Sequence, residues 1–142
     1  MKLFLPIVAS LLLATFATAK DGWTENFEKA KAQAKAEHKK MLLDFTGSDW
    51  CGWCIKLDKE VFSQKEWKDY AAKNLVLVEL DFPQHKSQSP EIKKQNDALA
   101  KKYHIEGYPT LVVLSPEGAP HGQVGYTPGG PKAFIKALEK AH

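Results

Sequence analysis

The chain has 142 residues, 44% hydrophobic and 26% charged, a formal net charge of +3 at pH 7, and two cysteines. All 20 basic residues are lysine. Bidentate recognition of phosphates and base edges relies on arginine, so nucleic acid is excluded as an expected partner and the dispersed lysines read as a solvated surface.

The N-terminus reads as a targeting segment. Lys2 supplies a positive end, Leu3 to Phe16 is an apolar stretch, and Ala17-Thr18-Ala19 fits a small-x-small cleavage site. The stretch is short for a membrane span and is interrupted by Pro6 and Ser10, which makes a signal anchor the weaker alternative. No cysteine stands at the cleavage point, which argues against a lipoprotein anchor. Residues 1–19 are therefore expected to be a signal peptide, and cleavage leaves Lys20 as the first residue. Residues 20–142 are the right length for one domain, and loss of Lys2 lowers the formal charge from +3 to +2. The expected location is outside the cytoplasm, periplasmic or secreted, in a compartment that permits disulfides.

The mature part alternates between helix and strand patterns. Trp23, Phe27, Ala30 and Ala34 mark one face of a helix reaching about His38, with Thr24 as its N-cap. Met41 to Phe45 is an apolar run broken by Asp44, suited to a central strand. Thr46 to Trp50 is a loop, and a helix runs from Gly52 to about Phe62. Ser63-Gln64-Lys65-Glu66 reads as a capping box opening further helix through Tyr70. Val76 to Leu80 is a second strand. Ser89-Pro90-Glu91 starts a helix reaching about Tyr103. Leu111 to Leu114 is a third strand, Pro116-Glu117-Gly118 a turn, and Gln123 to Tyr126 a short antiparallel strand. Pro131 to Ala141 closes the chain as a helix with Phe134, Ile135 and Leu138 facing inward. This order implies an α/β fold with a central mixed sheet flanked by helices.

Both cysteines lie in Cys51-Gly52-Trp53-Cys54, between a predicted strand and a predicted helix. A C-x-x-C there points to thiol–disulfide chemistry, because a helix N-terminus offers unpaired N–H groups and a partial positive charge that favour a thiolate. Cys51, expected nearer the solvent, is the candidate nucleophile, and Cys54 is placed to resolve a mixed disulfide. Two plainer readings compete. A structural bridge over so short a loop removes little unfolded-state entropy. A structural zinc site needs about four ligands, and no histidine pair follows at finger spacing.

The chain resembles the thioredoxin family over nearly all of residues 20–142. The resemblance is carried by Leu43-Asp44-Phe45, Trp50-Cys51-Gly52-Trp53-Cys54, Ile105-x-Gly107-Tyr108-Pro109-Thr110-Leu111 and Val124-Gly125, in that order and spacing. Phe45 to Cys51 is similar to exported bacterial thioredoxin-like proteins and to the C-terminal thioredoxin domain of the transmembrane disulfide reductase. The resemblance implies a thioredoxin-like fold, a cis peptide at Tyr108-Pro109 beside the disulfide, and substrate backbone pairing at Tyr108. It also implies that Asp44 is a buried acid exchanging a proton with Cys54. Desolvation in an apolar strand should raise the pKa of Asp44 and let it act as a general base; the alternative is a strand-end Asp that caps a loop.

Three departures from the family pattern stand out. One extra residue separates Asp44 from Cys51, Glu79 stands where many thioredoxins carry a lysine, and the central dipeptide is Gly-Trp instead of Gly-Pro. An inward Glu79 would compete with Asp44 for a proton; an outward one would be an ordinary surface residue. Gly-Trp has no charge to stabilise a thiolate, which places the expected potential toward the reducing end of the family span, about −270 to about −120 mV.

Trp50 and Trp53 are candidates for an apolar lip around the nucleophile, although Trp50 equally suits packing on a sheet edge. Gly125 is a candidate for close approach of substrate backbone, or else a strand kink. The expected function is thiol–disulfide exchange with protein substrates, more reductase than oxidase, fed by a membrane or soluble thiol donor. A monomer needing no cofactor beyond the Cys51–Cys54 pair is expected. The alternative is a metal (copper) or partner-binding module on the same fold, for which His85, His104 and His121 are candidate histidines and His121 the one closest to the right region of sequence. Isomerase action is disfavoured because no dimerisation domain is present.

Overall fold

The computed structural model describes residues 20–141; the signal peptide expected over 1–19 lies outside them. The elements in order are β1 (Trp23–Thr24), α1 (Phe27–Glu37), β2 (Lys40–Thr46), α2 (Gly52–Leu57), a π-helical turn (Asp58–Phe62), α3 (Lys65–Asn74), β3 (Leu75–Asp81), α4 (Pro90–Lys102), β4 (Thr110–Leu114), β5 (Pro120–Val124) and α5 (Gly130–Lys140). Among the described residues no helix is long and apolar enough to cross a membrane.

The strands form one mixed sheet in the order β1-β3-β2-β4-β5. β1 and β2 flank β3 in parallel, β4 lies antiparallel to β2, and β5 antiparallel to β4. Parallel pairing of β2 with β3 requires a long crossover, which α2, the π-turn and α3 supply. β2 and β3 read as near-continuous apolar runs because both faces of the sheet are covered. Side chains alternate along each strand. Met41, Leu43 and Phe45 therefore join Val78, Leu80, Val112 and Leu114 in one core, closed by Phe27, Ala30 and Ala34 of α1 and Leu99 of α4. Leu42, Leu77, Leu111 and Val113 point the other way, into a core closed by Leu57, Val61, Phe62, Trp67, Phe134 and Leu138.

Several local expectations change in the folded chain. The α1 N-cap is Asn26, whose side chain accepts from Lys29 N–H at 2.9 Å, and not Thr24. Thr24 lies in β1, and its hydroxyl accepts from Asn26 N–H instead. Trp23 and Phe27 do not share a face: pairing of β1 with β3 sends Trp23 into the second core and Phe27 into the first. Ser63 does not build a capping box: its hydroxyl donates to Lys59 O, and the α3 N-cap is Gln64, whose side chain also donates to Lys59 O and makes no capping hydrogen bond to the helix. The last strand is Pro120–Val124, three residues before the predicted start, since its register is set by pairing on β4. Ser89 does cap α4, accepting from Ile92 N–H, with Pro90 in the first turn.

The second core is aromatic. Phe134 is fully buried and meets Phe62 and Trp67 edge-on, with centroids 5.6 and 5.5 Å apart. Because these rings hold α3, α5 and the π-turn against the sheet, Phe134→Ala is expected to destabilise the oxidised protein by about 3–5 kcal/mol in urea unfolding. A loss under about 1 kcal/mol would contradict this account of the core.

Candidate active site

The site starts where β2 ends. Gly47 to Cys51 forms a tight turn, with Cys51 N–H donating to Gly47 O at 2.9 Å. β3 and the loop after it hold this turn from outside. Asp81 accepts from Ser48 N–H at 2.9 Å and from the Ser48 hydroxyl at 2.6 Å. Asp49 accepts from Gln84 N–H and His85 N–H, and these bonds, Gln84's first, hold its carboxyl below the usual range. The Trp50 indole N–H donates to Phe82 O at 2.7 Å. The indole lies so close over Gly47 that any Cβ there would collide with it, which requires glycine at this position. The extra residue between Asp44 and Cys51 is absorbed in this turn and does not displace Asp44 from β2.

Cys51 caps α2: it is extended, at φ −85° and ψ 108°, and its Sγ accepts from Cys54 N–H at 3.2 Å. Cys51 and Cys54 form a disulfide with their Cα atoms 5.2 Å apart. The two residues are almost equally covered, 7% and 5% exposed, so exposure does not single out Cys51. What differs is their surroundings. Cys54 lines an inner cleft of about 310 Å³ with Lys20, Asp58 and Glu79. Cys51 does not line that cleft; it follows Trp50 in the chain and precedes Trp53 by two residues, and these rings are 37% and 56% exposed.

The Tyr108–Pro109 peptide is cis. Tyr108 is half-buried, edge-on to Trp50 at 5.7 Å and tilted on Phe82 at 5.3 Å. Trp53 rests on Tyr126 at 5.0 Å, with the Lys56 ammonium 5.1 Å from its ring centroid. Gly125 is exposed, and a Cβ there would stand 3.9 Å from Pro109 O. Partly exposed aromatic rings thus pair in two groups, Trp50 with Tyr108 and Trp53 with Tyr126, the two tryptophans standing next to and within the cysteine motif.

Alternation along β2 turns Asp44 to the same face as Leu42, the face that α2 covers. Asp44 is 2% exposed and pairs in register with Glu79 on β3, which is 8% exposed. Glu79 therefore points inward. Two buried carboxylates stand side by side, and the Lys20 ammonium lies 3.8 Å from an oxygen of each. Burial pushes Asp44 up to about 7; Lys20 opposes the rise, while Glu79, Asp58 and Asp81 add to it. Glu79 is also raised, chiefly by burial, with Lys20 opposing. Asp44 Oδ1 is buried without a hydrogen-bond partner among the described residues. A carboxyl titrating near neutrality and holding a free oxygen is equipped to take up and release a proton.

Reading from the motifs alone misses Lys20, and it misses the hold of Asp81 and Asp49 on the turn. The inward direction of Glu79 had a signal in the period-2 pattern of Val76 to Leu80. Lys20 had none, since nothing local tells where a residue before a two-residue strand will point. Among the described residues no group of three or more His, Cys, Asp or Glu side chains is arranged to hold a metal ion. His121 lies on β5, His104 closes α4 at φ 54°, and His85 sits in the exposed loop after β3.

A disulfide capping a helix, and a cis-proline whose preceding Tyr108 packs on the Trp50 ring next to Cys51, on a sheet covered by helices on both faces, define a thiol–disulfide oxidoreductase. The chain belongs to the thioredoxin-like family, whose domain model matches residues 27–142. It is 38% identical over 117 residues to the disulfide bond reductase DsbH of Chlamydia pneumoniae, a match covering 82% of this chain and 70% of that protein. It is 30% identical over 93 residues to the thiol:disulfide interchange protein DsbD of Vibrio cholerae, covering 66% of this chain and 14% of that one. A solved structure described as DsbH oxidoreductase superposes with a TM-score of 0.78 at 34% identity, covering 89% of this chain and 91% of that one.

Because the folded-state pKa of Asp44, about 7, lies above its ordinary value of 3.8, its contribution to stability is fully present below about pH 4 and is lost as pH rises to about 7. Asp44→Asn abolishes this titration. The stability of the Asn variant relative to the parent should rise across that window by about 1.4 kcal/mol per pH unit at most. Urea unfolding of the oxidised forms at about pH 4.5 and about pH 7.5 measures it. A difference independent of pH would remove the case for a buried, titrating Asp44.

Proposed function

We propose that the protein is an exported thiol–disulfide reductase acting on protein disulfides through Cys51 and Cys54. The observation that carries the reading is the asymmetry of the pair. Cys54 lines a cleft edged by charged groups that Cys51 does not line, while Cys51 adjoins the exposed Trp50 in the chain. In the reduced enzyme the Cys51 thiolate attacks a substrate disulfide. An S–S bond forms between Cys51 and the substrate, and the other substrate sulfur leaves as a thiolate. Cys54 gives its proton to Asp44 and attacks Cys51 Sγ, closing the intramolecular disulfide and expelling the second substrate thiol. Two electrons pass to the substrate, whose two sulfurs leave as thiolates; one takes up the proton that Asp44 holds and the other a proton from solvent, which returns Asp44 to its carboxylate. A thiol donor, membrane-bound or soluble, then restores the dithiol.

The aromatic rings of Trp50, Trp53 and Tyr108, with Pro109 and Gly125, are suited to an extended polypeptide laid across the disulfide. The reducing direction is supported by the uncharged Gly52-Trp53 pair, and the relatives named as reductase and interchange proteins agree with it. Residues 1–19 act as a signal peptide, and residues 20–142 work outside the cytoplasm as a monomer. No cofactor is required beyond the disulfide.

Equilibration in glutathione buffers, followed by the fluorescence of Trp50 and Trp53, should give a potential near the thioredoxin value of about −270 mV. A value near about −120 mV would make the protein a disulfide donor and overturn the direction. Cys54→Ser should accumulate covalent mixed disulfides with substrate that Cys51→Ser does not form, resolved by non-reducing electrophoresis; absence of trapping would remove Cys51 as nucleophile.

A further inference from the structure

Lys20 is held in place from several directions. Trp23 N–H donates to Lys20 O at 2.9 Å, tying the segment to β1, which is paired on β3. Its ammonium donates to Asp58 Oδ1 at 3.1 Å and lies 3.8 Å from both Asp44 Oδ2 and Glu79 Oε1. The same nitrogen stands 4.5 Å from the ring centroid of Trp23 and 5.0 Å from that of Phe62. One cation thus meets carboxylates from β2, β3 and the π-turn, on the edge of the cleft that Cys54 lines. A solvated surface lysine has no such set of neighbours.

Asp44 and Glu79 cannot both ionise side by side in a buried place without a compensating charge. If neither is ionised, neither accepts a proton. An ammonium 3.8 Å from each favours the ionised form of the pair. Lys86 lines the same cleft and also favours an ionised Glu79, but Lys20 is the cation that acts on Asp44. Asp58, Asp81 and Glu25 are acids, and Lys86 pairs with Asp81 at 3.2 Å.

We propose that Lys20 is a positioning residue for disulfide exchange: docked among Asp44, Asp58 and Glu79, its ammonium holds the Asp44–Glu79 pair in a state able to accept the Cys54 proton. The inference rests on the reading of Cys51 and Cys54 as the exchanging pair. Lys20 touches neither sulfur nor substrate, and it acts on Cys54 only through Asp44. Burial opposes its charge, but Asp44, Glu79 and Asp58 outweigh burial and leave its pKa raised, so it stays protonated throughout the range in which Asp44 titrates.

The test compares Lys20→Met and Lys20→Arg with the parent, each purified as the full processed chain, with intact mass confirming the same N-terminus. Oxidised glutathione is the disulfide probe, and tryptophan fluorescence follows ring closure between pH 5 and 9. Loss of the cation raises the proton affinity of Asp44. Lys20→Met should therefore shift the midpoint of closure upward by about one pH unit, making closure about fivefold slower at pH 7 and about tenfold slower at pH 5. Lys20→Arg should stay within about threefold of the parent, since it keeps the charge. First attack by Cys51, measured in the Cys54→Ser background, should not change with Lys20→Met. In the Asp44→Asn background Lys20→Met should give no further shift, which a merely structural role for Lys20 would not produce. An unchanged midpoint in Lys20→Met, or an equal shift with Asp44 absent, overturns the proposal. Failure of the parent itself to exchange would instead overturn the functional reading. Thermal melts of each variant separate loss of fold from loss of proton transfer.

Discussion

A carboxylate in the middle of a sheet covered on both faces is costly to ionise, and much of this protein's local architecture answers that cost. Asp44 is placed there by strand alternation and cannot turn away without moving Leu43 and Phe45 out of the opposite core. Glu79 is brought beside it by the parallel register of β2 and β3. The two-residue strand β1 looks trivial as an element, yet its pairing on β3 fixes the segment that carries Lys20. The π-turn has a similar place: it follows α2 directly and presents Asp58 to the same ammonium. A residue from each of four segments meets at one cation.

The cysteine turn solves a different problem, that of holding a reactive pair still at the end of an element. Its restraints are mostly hydrogen bonds from side chains to backbone groups, anchored on β3 and the loop behind it. Asp81 restrains Ser48, and Asp49 restrains Gln84 and His85. The Trp50 indole closes the arrangement against Phe82 O and presses on Gly47. Rigid support of this kind lets the pair sit at the end of an element and still be positioned accurately.

Much of the fold is legible in the sequence, and the reason is local. The buried strands β2, β3 and β4 announce themselves as apolar runs, Ser89-Pro90 marks a helix start by its own cap chemistry, and the cysteine spacing marks the redox pair. The misreadings arise where a distant partner decides. Thr24 and Asn26 are both good caps, and the choice between them falls to β1, which exists only because β3 is beside it. Ser63 has the right residue type for a cap, but the preceding π-turn puts Lys59 O within its reach. The start of β5 is set by β4 and not by its own weakly patterned residues. At the site, the buried acid could be anticipated from an Asp in an apolar strand. The lysine that answers it comes from the other end of the domain and has no motif.

On the proposed reading that residues 1–19 are removed as a signal peptide, Lys20 is the first residue left, and the cleavage point would then have a chemical meaning. A recombinant form begun one residue later, at Asp21, would keep every strand and helix and lose the ammonium at the cleft. A precursor with residues 1–19 attached carries a neutral amide at the Lys20 nitrogen. The processed chain carries a free amine there, with an ordinary pKa near about 8. Maturation would then change the charge at the very residue that faces the buried acids, and the precise N-terminus becomes part of the enzyme's definition and not a matter of convenience in preparing it.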